Sequence, residues 1–272
     1  MVEVAMTASE PDPAPSGVPE LVDAVRTAGR ERRPAQRRGL WVSYLSPYAL
    51  EVALDADPGS VPDWIGLDLQ HGDLDPSYVA GLLRVTERRG LPVLARMPGH
   101  DRSAIGRVVD SGVDGVIVPT VESADQARAL VDAIRLPPTG ARSTGAARSS
   151  FGVTSGTDPL LLPMVETRAG RDHAAAIAEV DGVDGIFVGP YDLNASLGRS
   201  SPSSPEGVAA VRSVIEVGRA AGVVVGMYAG SDELRALSPL LDLIALDSDL
   251  TALRLGMASL FGGPTPAGAD RR

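Results

Sequence analysis

The chain has 272 residues, of which 44% are hydrophobic, and it carries a formal net charge of -10. This length suits one large domain or two small ones, and the acidic balance argues against nucleic-acid and anionic-membrane partners. The sequence contains no apolar run of the ~20 residues that a membrane span needs and no secretory signal, so we expect a cytoplasmic protein.

Two amino-acid types are absent, and both absences limit the possible chemistry. There is no Cys, and all 25 basic residues are Arg. The chain therefore has no thiolate nucleophile and no lysine amine that could form a Schiff base with a carbonyl substrate. If the chain activates a keto acid, it must use a metal ion or an organic cofactor.

The first half of the chain predicts four strand–helix units after a polar N-terminus. Residues 1–18, rich in Pro, Ala and Ser, predict a disordered tail, and an additional helix is expected at 19–29. The expected strands are 40–45, 64–68, 92–97 and 114–118, and the helices that follow them are 47–56, 76–89, 101–111 and 123–134. Each strand is a nearly continuous apolar run, which is typical of parallel strands covered on both faces.

The second half repeats this alternation after a long loop at 136–159, which is rich in Pro, Gly, Ser and Thr and is expected to be functional or mobile. The expected strands are 160–165, 185–189, 223–228 and 243–247, and the expected helices are 169–180, 206–221, 232–237 and 250–260. Eight strands alternating with eight helices predict an α/β fold of the (β/α)8 TIM-barrel type, as a single domain at 19–262 followed by a disordered tail at 263–272. A doubly wound sheet is the alternative, but no GxGxxG follows the first strand.

Polar residues follow several predicted strands at the edge where barrel enzymes carry their active sites. They are Asp68, His71, Arg96, Glu166 and Asp192. A single acid there would be interpreted as a helix cap or a rim ion pair, but Glu166 and Asp192 end consecutive strands. Two such oxygen donors can hold a divalent cation and leave other positions open. Arg96 lies in the apolar segment PVLARMPG, where a buried guanidinium needs an anionic partner.

Other polar residues have less specific surroundings. The sequence predicts that His100 and His173 lie on the surface, and Asp110, late in its helix, would ordinarily be solvated. A helix is expected to begin near Tyr191 and Asp192. The free backbone N–H groups at the start of a helix commonly bind a carboxylate.

These segments resemble the 4-hydroxy-2-oxoheptanedioate aldolase family, the metal-dependent class II pyruvate aldolases, to which macrophomate synthase is also related. The resemblance covers residues 37–262. It is carried, in the family's order and spacing, by GLWVSYLSPYALEVAL, DWIGLDLQHGDLD, PVLARMPGHD, VDSGVDGVIVPTVESADQAR, PPTGARSTG, PMVETRAG and VDGVDGIFVGPYDLNASLG. The chain departs from the family at Leu69 and Gln70, at Met164, where a Gln is usual, at Tyr191, and in a shorter loop at 146–159.

The resemblance leads us to expect a role for each candidate residue. The expected metal ligands are Glu166 and Asp192, for Mg²⁺, Mn²⁺ or Co²⁺. The expected catalytic residues are Arg96, which stabilises an enolate, His71 held near Asp68, and Asp110, which acts at a neighbouring subunit's site. The expected substrate-binding residues are Gly189, Pro190, Tyr191, Met164 and Tyr228, the last of which faces the aldehyde.

The implied reaction is the reversible aldol cleavage of a 4-hydroxy-2-oxo acid to pyruvate and an aldehyde, with oxaloacetate decarboxylation as a side activity. Two alternatives stay open. One is a related metal-enolate enzyme of specialised metabolism that forms C–C bonds or decarboxylates, and the other is an inactive barrel used for binding or assembly. The family also implies a homohexamer, a trimer of dimers, in which the apolar C-terminal helix packs on a neighbouring subunit.

Overall fold

The structure, a computed structural model, describes residues 36–145 and 158–262, in which eight parallel strands close into a barrel in chain order. The strands are β1 (Arg37–Val42), β2 (Trp64–Asp68), β3 (Val93–Arg96), β4 (Gly115–Val118), β5 (Leu160–Val165), β6 (Gly185–Val188), β7 (Val224–Tyr228) and β8 (Leu243–Ser248). The closed ring confirms the predicted barrel and excludes the doubly wound sheet. The predicted helix at 19–29, the two predicted tails and the part of the long loop at 146–157 lie outside the described residues.

Helices lie between the strands and form the outer layer. They are α1 (Pro47–Ala53), α2 (Val79–Glu87), α3 (Arg102–Asp110), α4 (Ala124–Ile134), α5 (Arg168–Asp172), α6 (Ala174–Ala178), α7 (Pro190–Ser196), α8 (Pro205–Ala221), α9 (Asp232–Arg235) and α10 (Asp249–Phe261). The helix predicted at 169–180 is divided into α5 and α6, because the chain turns at His173 (φ -105°, ψ 7°). Side chains that accept a backbone N–H cap seven helices: Ser46, Asp101, Ser123, Thr167, Ser204, Ser231 and Ser248.

Two indole rings fill the interior of the barrel by lying over glycines of the neighbouring strand. Gly39 is paired with Trp64 across the β1–β2 ladder, and Trp41 is paired with Gly66. A Cβ atom at Gly39 would lie 2.2 Å from the Trp64 ring, and one at Gly66 would lie 2.5 Å from the Trp41 ring. Both positions therefore require glycine. This packing places Trp41 in the part of the barrel interior nearer the C-terminal ends of the strands.

The opposite, N-terminal end of the barrel carries the same hydrogen-bond pair four times. An aspartate stands immediately before each even-numbered strand: Asp63, Asp114, Asp184 and Asp242. Each donates its backbone N–H to the carbonyl of one residue on the preceding strand, and its carboxylate accepts that residue's N–H at 2.7–2.8 Å. The partners are Arg38, Val93, Leu161 and Val225. Because one aspartate takes both polar groups of its partner, it fixes the register of the two strands.

The last helix, α10, contacts β1 and β8 but leaves most of its apolar surface uncovered. Leu253, Leu255, Met257, Leu260 and Phe261 are all at least half exposed. This surface is not confined to one face, which distinguishes α10 from the helices that pack on the barrel. In the part of the chain that the structure describes, no helix combines the length and apolarity needed to cross a membrane.

Candidate active site

A cavity of about 310 Å³ opens at the C-terminal end of the barrel. All predicted site residues except Asp110 line it: Asp68, His71, Arg96, Met164, Glu166, Gly189, Pro190, Tyr191, Asp192 and Tyr228. The cavity walls also include Trp41, Ser43, Tyr44, Val188, Ser248 and Leu250. The barrel thus brings together predicted site residues that are up to 160 positions apart in sequence, Asp68 and Tyr228.

Arg96 is held by Asp68 at the bottom of this cavity. The two residues are paired at the ends of β2 and β3, and the carboxylate accepts bonds from Nε at 2.9 Å and Nη2 at 2.5 Å. The guanidinium also lies over the Trp41 ring, 5.3 Å from its centroid. Burial raises the pKa of Asp68, but the hydrogen bonds and charge of Arg96, together with the bonds from the His71 backbone and the Trp41 ring, outweigh it and hold this pKa below its usual value. The anionic partner that the sequence required for Arg96 is therefore Asp68.

His71 is attached to the same carboxylate through its backbone rather than its ring. Its backbone N–H donates to Asp68 Oδ1 at 3.0 Å, and that of Gln70 donates to the same oxygen at 3.1 Å. The exposed imidazole lines the cavity and makes no hydrogen bond within the described residues. The loop therefore places His71 next to Asp68 through its backbone, and the ring keeps both nitrogens for a ligand.

Glu166 follows β5 and is held on one side by Thr120. The backbone N–H and the Oγ1 hydroxyl of Thr120 both donate to Glu166 Oε1, at 2.8 and 2.9 Å. Gly189 approaches the other oxygen so closely that a Cβ atom there would lie 2.7 Å from Oε2. This contact follows from strand register, because Val165 and Val188 are paired and Glu166 and Gly189 come directly after them.

The electrostatics of Glu166 fit a cation site. Burial is the largest influence and raises its pKa; the negative charge of Asp192 adds to this, while Thr120 and Arg96 act in the opposite direction. Two carboxylates that repel each other in a partly buried cavity are stabilised by a divalent cation between them, and oxygen is the donor that Mg²⁺ and Mn²⁺ prefer. Across residues 36–145 and 158–262 no group of three His, Cys, Asp or Glu side chains could hold a metal. A cation on this pair would take its remaining ligands from substrate and water.

The far wall of the cavity is aromatic and carries a fixed hydrogen-bond chain. The Tyr228 hydroxyl donates to Asp247 Oδ1 at 3.1 Å, and Arg235 Nη2 donates to Asp247 Oδ2 at 2.8 Å. Burial and the charge of Asp247 raise the pKa of Tyr228 well above its usual value, so the phenol stays protonated. The Tyr191 ring lies 6.2 Å from the Tyr228 ring. This wall therefore presents aromatic faces and a phenol oxygen whose own proton is engaged elsewhere.

Sequence reasoning did not identify three residues that organise the site. Trp41 Nε1 donates to Asp68 at 3.2 Å and supports Arg96 from below. Thr120 binds Glu166; it follows the apolar run of β4, and the rule that selected Glu166 could have found it. The buried carboxylate of Asp249 accepts the backbone N–H groups of residues 43–45 at 2.8–3.0 Å. This anchor sets the loop that carries Ser43 and Tyr44 into the cavity, and no local sequence signal indicates it.

The remaining candidates lie outside the cavity. Asp110 ends α3 at the opposite end of the barrel and forms an ion pair with Arg142 at 2.5 Å, so its expected role at a neighbouring subunit's site stays a prediction. His100 and His173 are exposed, as predicted. His100 Nε2 nevertheless lies 2.7 Å from the Pro119 carbonyl oxygen, beside the Thr120 turn.

Comparison with known proteins identifies aldolases as relatives of this chain. Residues 37–250 match the model of the HpcH/HpaI aldolase/citrate lyase family. The chain is 37% identical over 200 residues to a hydroxypyruvate/pyruvate aldolase of Roseovarius nubinhibens, covering 68% of this chain and 76% of that one. It is 33% identical over 216 residues to a 4-hydroxy-2-oxovalerate aldolase of Novosphingobium aromaticivorans, covering 75% and 80%. A crystal structure of an HpcH/HpaI family protein from Burkholderia cenocepacia superimposes with a TM-score of 0.77 at 30% identity, covering 89% of this chain and 97% of that one.

Proposed function

The chain belongs to the HpcH/HpaI aldolase/citrate lyase family, and from this membership we propose a divalent-metal-dependent aldolase that cleaves a 4-hydroxy-2-oxo acid to pyruvate and an aldehyde. The observation that carries the proposal is the cavity in which two neighbouring carboxylates, Glu166 and Asp192, face Arg96. Such a site can bind a cation and a 2-oxo acid together. An inactive barrel has no use for a buried Glu166 placed beside an exposed Asp192 whose charge repels its own.

The metal ligands in this proposal are Glu166 and Asp192. When bound, a Mg²⁺, Mn²⁺ or Co²⁺ ion supplies a Lewis acid for the keto and carboxylate oxygens of the substrate. Glu166 offers Oε2, because its Oε1 already accepts two hydrogen bonds from Thr120. The carboxylate seat expected at the backbone N–H groups of Tyr191 and Asp192 is part of the proposal. Both residues lie in the first turn of α7 and line the cavity.

Arg96 stabilises the charge that develops on the substrate. Cleavage of the C3–C4 bond leaves its electron pair on the pyruvate half, where the charge is shared between C3 and the keto oxygen. Asp68 occupies Nε and Nη2, so Nη1 keeps its two N–H groups for that oxygen. A donor fixed in advance by an ion pair, as Arg96 is by Asp68, does not reorganise during the reaction, which is how such groups lower barriers.

His71 moves the proton of the 4-hydroxyl group. In the cleavage direction the ring accepts this proton, directly or through one water molecule, as the C4–O group becomes the aldehyde carbonyl. In the synthetic direction it returns the proton to the new alkoxide. The loop bonds from Asp68 to the backbone of His71 and Gln70 hold the ring at the cavity mouth without using its nitrogens.

The aromatic wall defines the class of aldehyde that we propose. Tyr228 commits its proton to Asp247, so its oxygen accepts a hydrogen bond rather than donating one. Arg96 is the only arginine lining the cavity within the described residues, and it is engaged by Asp68. The cavity therefore favours an aldehyde that carries a hydroxyl, which can donate to the Tyr228 oxygen. A carboxylate on the aldehyde would meet that acceptor oxygen and nearby acidic side chains, and both would repel it.

The proposal also includes a homo-oligomer, a hexamer built as a trimer of dimers, and a cytoplasmic location. The support for assembly is the uncovered apolar surface of α10, from Leu253 to Phe261. Leu250, at the start of this helix, lines the cavity, so a copy that packs on α10 would lie beside the site.

The proposal is tested by incubating the protein with pyruvate, Mg²⁺ or Mn²⁺ and paired aldehydes, with products identified by mass. The pairs are lactaldehyde against propanal, and succinic semialdehyde against butanal. We expect aldol products with all Mg²⁺ or Mn²⁺ reactions, none in excess EDTA, and the highest kcat/KM for lactaldehyde. Absence of both aldol products and pyruvate methyl-proton exchange in the presence of metal contradicts the proposed function.

A further inference from the structure

Thr120 has a backbone conformation that its residue type disfavours. Its φ is 54°, and it is the only non-glycine residue with a positive φ within residues 36–145 and 158–262. The left-handed region is open to glycine but crowds the Cβ of other residues, and for a β-branched side chain it is a true outlier. Such strain persists where the surrounding structure holds it, and it is concentrated at functional sites.

Packing of the Thr120 side chain does not account for this conformation. The residue is exposed, so no buried cavity is filled by its methyl group. The turn instead positions the two polar donors of Thr120. Its backbone N–H and its Oγ1 hydroxyl both donate to Glu166 Oε1, at 2.8 and 2.9 Å. Glycine would adopt the turn at lower cost but would supply only one of these two bonds.

The two bonds determine which oxygen of Glu166 remains available. Oε1 accepts both donors from Thr120, and Oε2, near Gly189, accepts no hydrogen bond from any residue that the structure describes. Because both donors belong to one residue, they also fix the rotation of the carboxylate about its terminal bond. The carboxylate is thereby oriented before a cation arrives.

We propose that Thr120 is the positioning residue of the cation site, and that its left-handed conformation is retained because it directs Glu166 Oε2 at the cation. This inference rests on the proposed metal-dependent function but concerns a residue that neither the metal ligands nor the substrate contacts include. Hydrogen bonds from neighbouring groups to a ligating carboxylate are known to tune metal affinity, and their loss costs about 10–100-fold in affinity or activity.

Three substitutions separate the role in metal binding from a role in the turn. Thr120→Gly removes the strain of the positive φ and keeps the backbone N–H donor, but it removes the hydroxyl donor. Thr120→Val keeps the β-branched shape and its strain but also removes the hydroxyl, and Thr120→Ser keeps both donors. Thr139→Val, at an exposed position in a loop outside the cavity, is the matched control.

The measurements are the melting temperature of the metal-free protein in EDTA and the Mn²⁺ affinity by titration calorimetry. We expect Thr120→Gly to melt at or above the temperature of the unaltered protein and yet to bind Mn²⁺ about 10-fold or more weakly. Thr120→Val should lose affinity to a similar extent, whereas Thr120→Ser and Thr139→Val should stay within about threefold of the unaltered protein. Loss of metal affinity without loss of stability is a result that a purely structural role does not produce.

Two other outcomes overturn the inference in different ways. Unaltered Mn²⁺ affinity in both Thr120→Gly and Thr120→Val removes Thr120 from the cation site and leaves the proposed function intact. Absence of Mn²⁺ and Mg²⁺ binding by the unaltered protein removes the proposed function, and this inference with it.

Discussion

Asp68 binds Arg96 through two parallel hydrogen bonds, from Nε at 2.9 Å and from Nη2 at 2.5 Å, across the last rung of the β2–β3 ladder. A two-point contact fixes the plane of the guanidinium as well as its position. The guanidinium carbon also lies over the Trp41 ring, 5.3 Å from its centroid. The arginine therefore reaches the cavity with one nitrogen, Nη1, in a set direction, and this geometry determines how a substitution should act.

Arg96→Lys should lower kcat by roughly 10²-fold or more, because lysine keeps the charge but cannot bind Asp68 at two points and still face the substrate. Turnover with pyruvate and the best aldehyde measures this. Arg128→Lys, at an exposed helix position paired with Asp125, is the control and should be unaffected. Near wild-type turnover in a folded Arg96→Lys protein removes Arg96 from the mechanism.

Glu166→Gln and Asp192→Asn should each weaken Mg²⁺ and Mn²⁺ binding and abolish activity while the protein stays folded. Glutamine can still accept both bonds from Thr120, and loss of one charge relieves the repulsion that raises the pKa of Glu166. Calorimetric titration with Mn²⁺ and turnover in chelator-treated buffer are the measurements. The exposed Glu179→Gln is the control, and full activity of either site variant in that buffer contradicts the assignment.

Tyr228→Phe should change aldehyde preference without affecting pyruvate. The substitution removes one acceptor oxygen, so the ratio of kcat/KM for lactaldehyde over propanal should fall about 2–10-fold, the value of one neutral hydrogen bond. Pyruvate methyl-proton exchange, followed by NMR in D₂O, should be unchanged. Tyr48→Phe, at an exposed position outside the cavity lining, is the control, and joint loss of exchange and aldol activity contradicts the assignment.

The protein should be a homo-oligomer in solution, since the apolar surface of α10 requires cover. Light scattering at micromolar concentration should give a multiple of the chain mass, six-fold for a trimer of dimers. Leu253→Glu combined with Leu260→Glu should lower that mass, whereas Ala209→Glu, exposed on α8, should not. A monomer of the unaltered protein at this concentration refutes the prediction.

Asp114 should make stability fall as pH rises towards neutrality. Burial, with a smaller contribution from the charge of Glu87, raises its pKa from 3.8 to about 7. The folded state therefore holds a proton that the unfolded state releases, so the contribution is complete below pH 3.8 and is lost as pH rises through about 7. The change in unfolding free energy from this group should be on the order of a few kcal/mol.

Urea unfolding at several pH values between 4 and 8 tests this slope. Asp114→Asn can still accept the Val93 N–H bond but has no proton to lose, so its unfolding free energy should depend less on pH. Asp63→Asn changes the equivalent aspartate of the β1–β2 pair and should keep the slope of the unaltered protein. An undiminished slope in Asp114→Asn places the pH dependence elsewhere.

Much of this architecture was predictable because the barrel repeats one local pattern. Each strand is an apolar run that a helix and the interior cover on both faces, so its position is visible in sequence without knowledge of its neighbours. Acids directly after such runs, as at Glu166, lie at the active edge of any parallel barrel. The absence of lysine and cysteine excluded Schiff-base and thiolate chemistry from composition alone.

The sequence by itself therefore determined the eight-unit order, the edge that carries the site and the set of polar residues available there. The tertiary structure decided which of them touch. The register of the closed barrel paired Asp68 with Arg96, so the Asp68 carboxylate binds the Arg96 side chain. His71 contacts the same carboxylate through its backbone N–H and not through its ring. The left-handed turn at Thr120 and the Asp249 anchor under residues 43–45 depend on loop dihedrals and long-range contacts, which periodicity does not encode because it describes one element at a time.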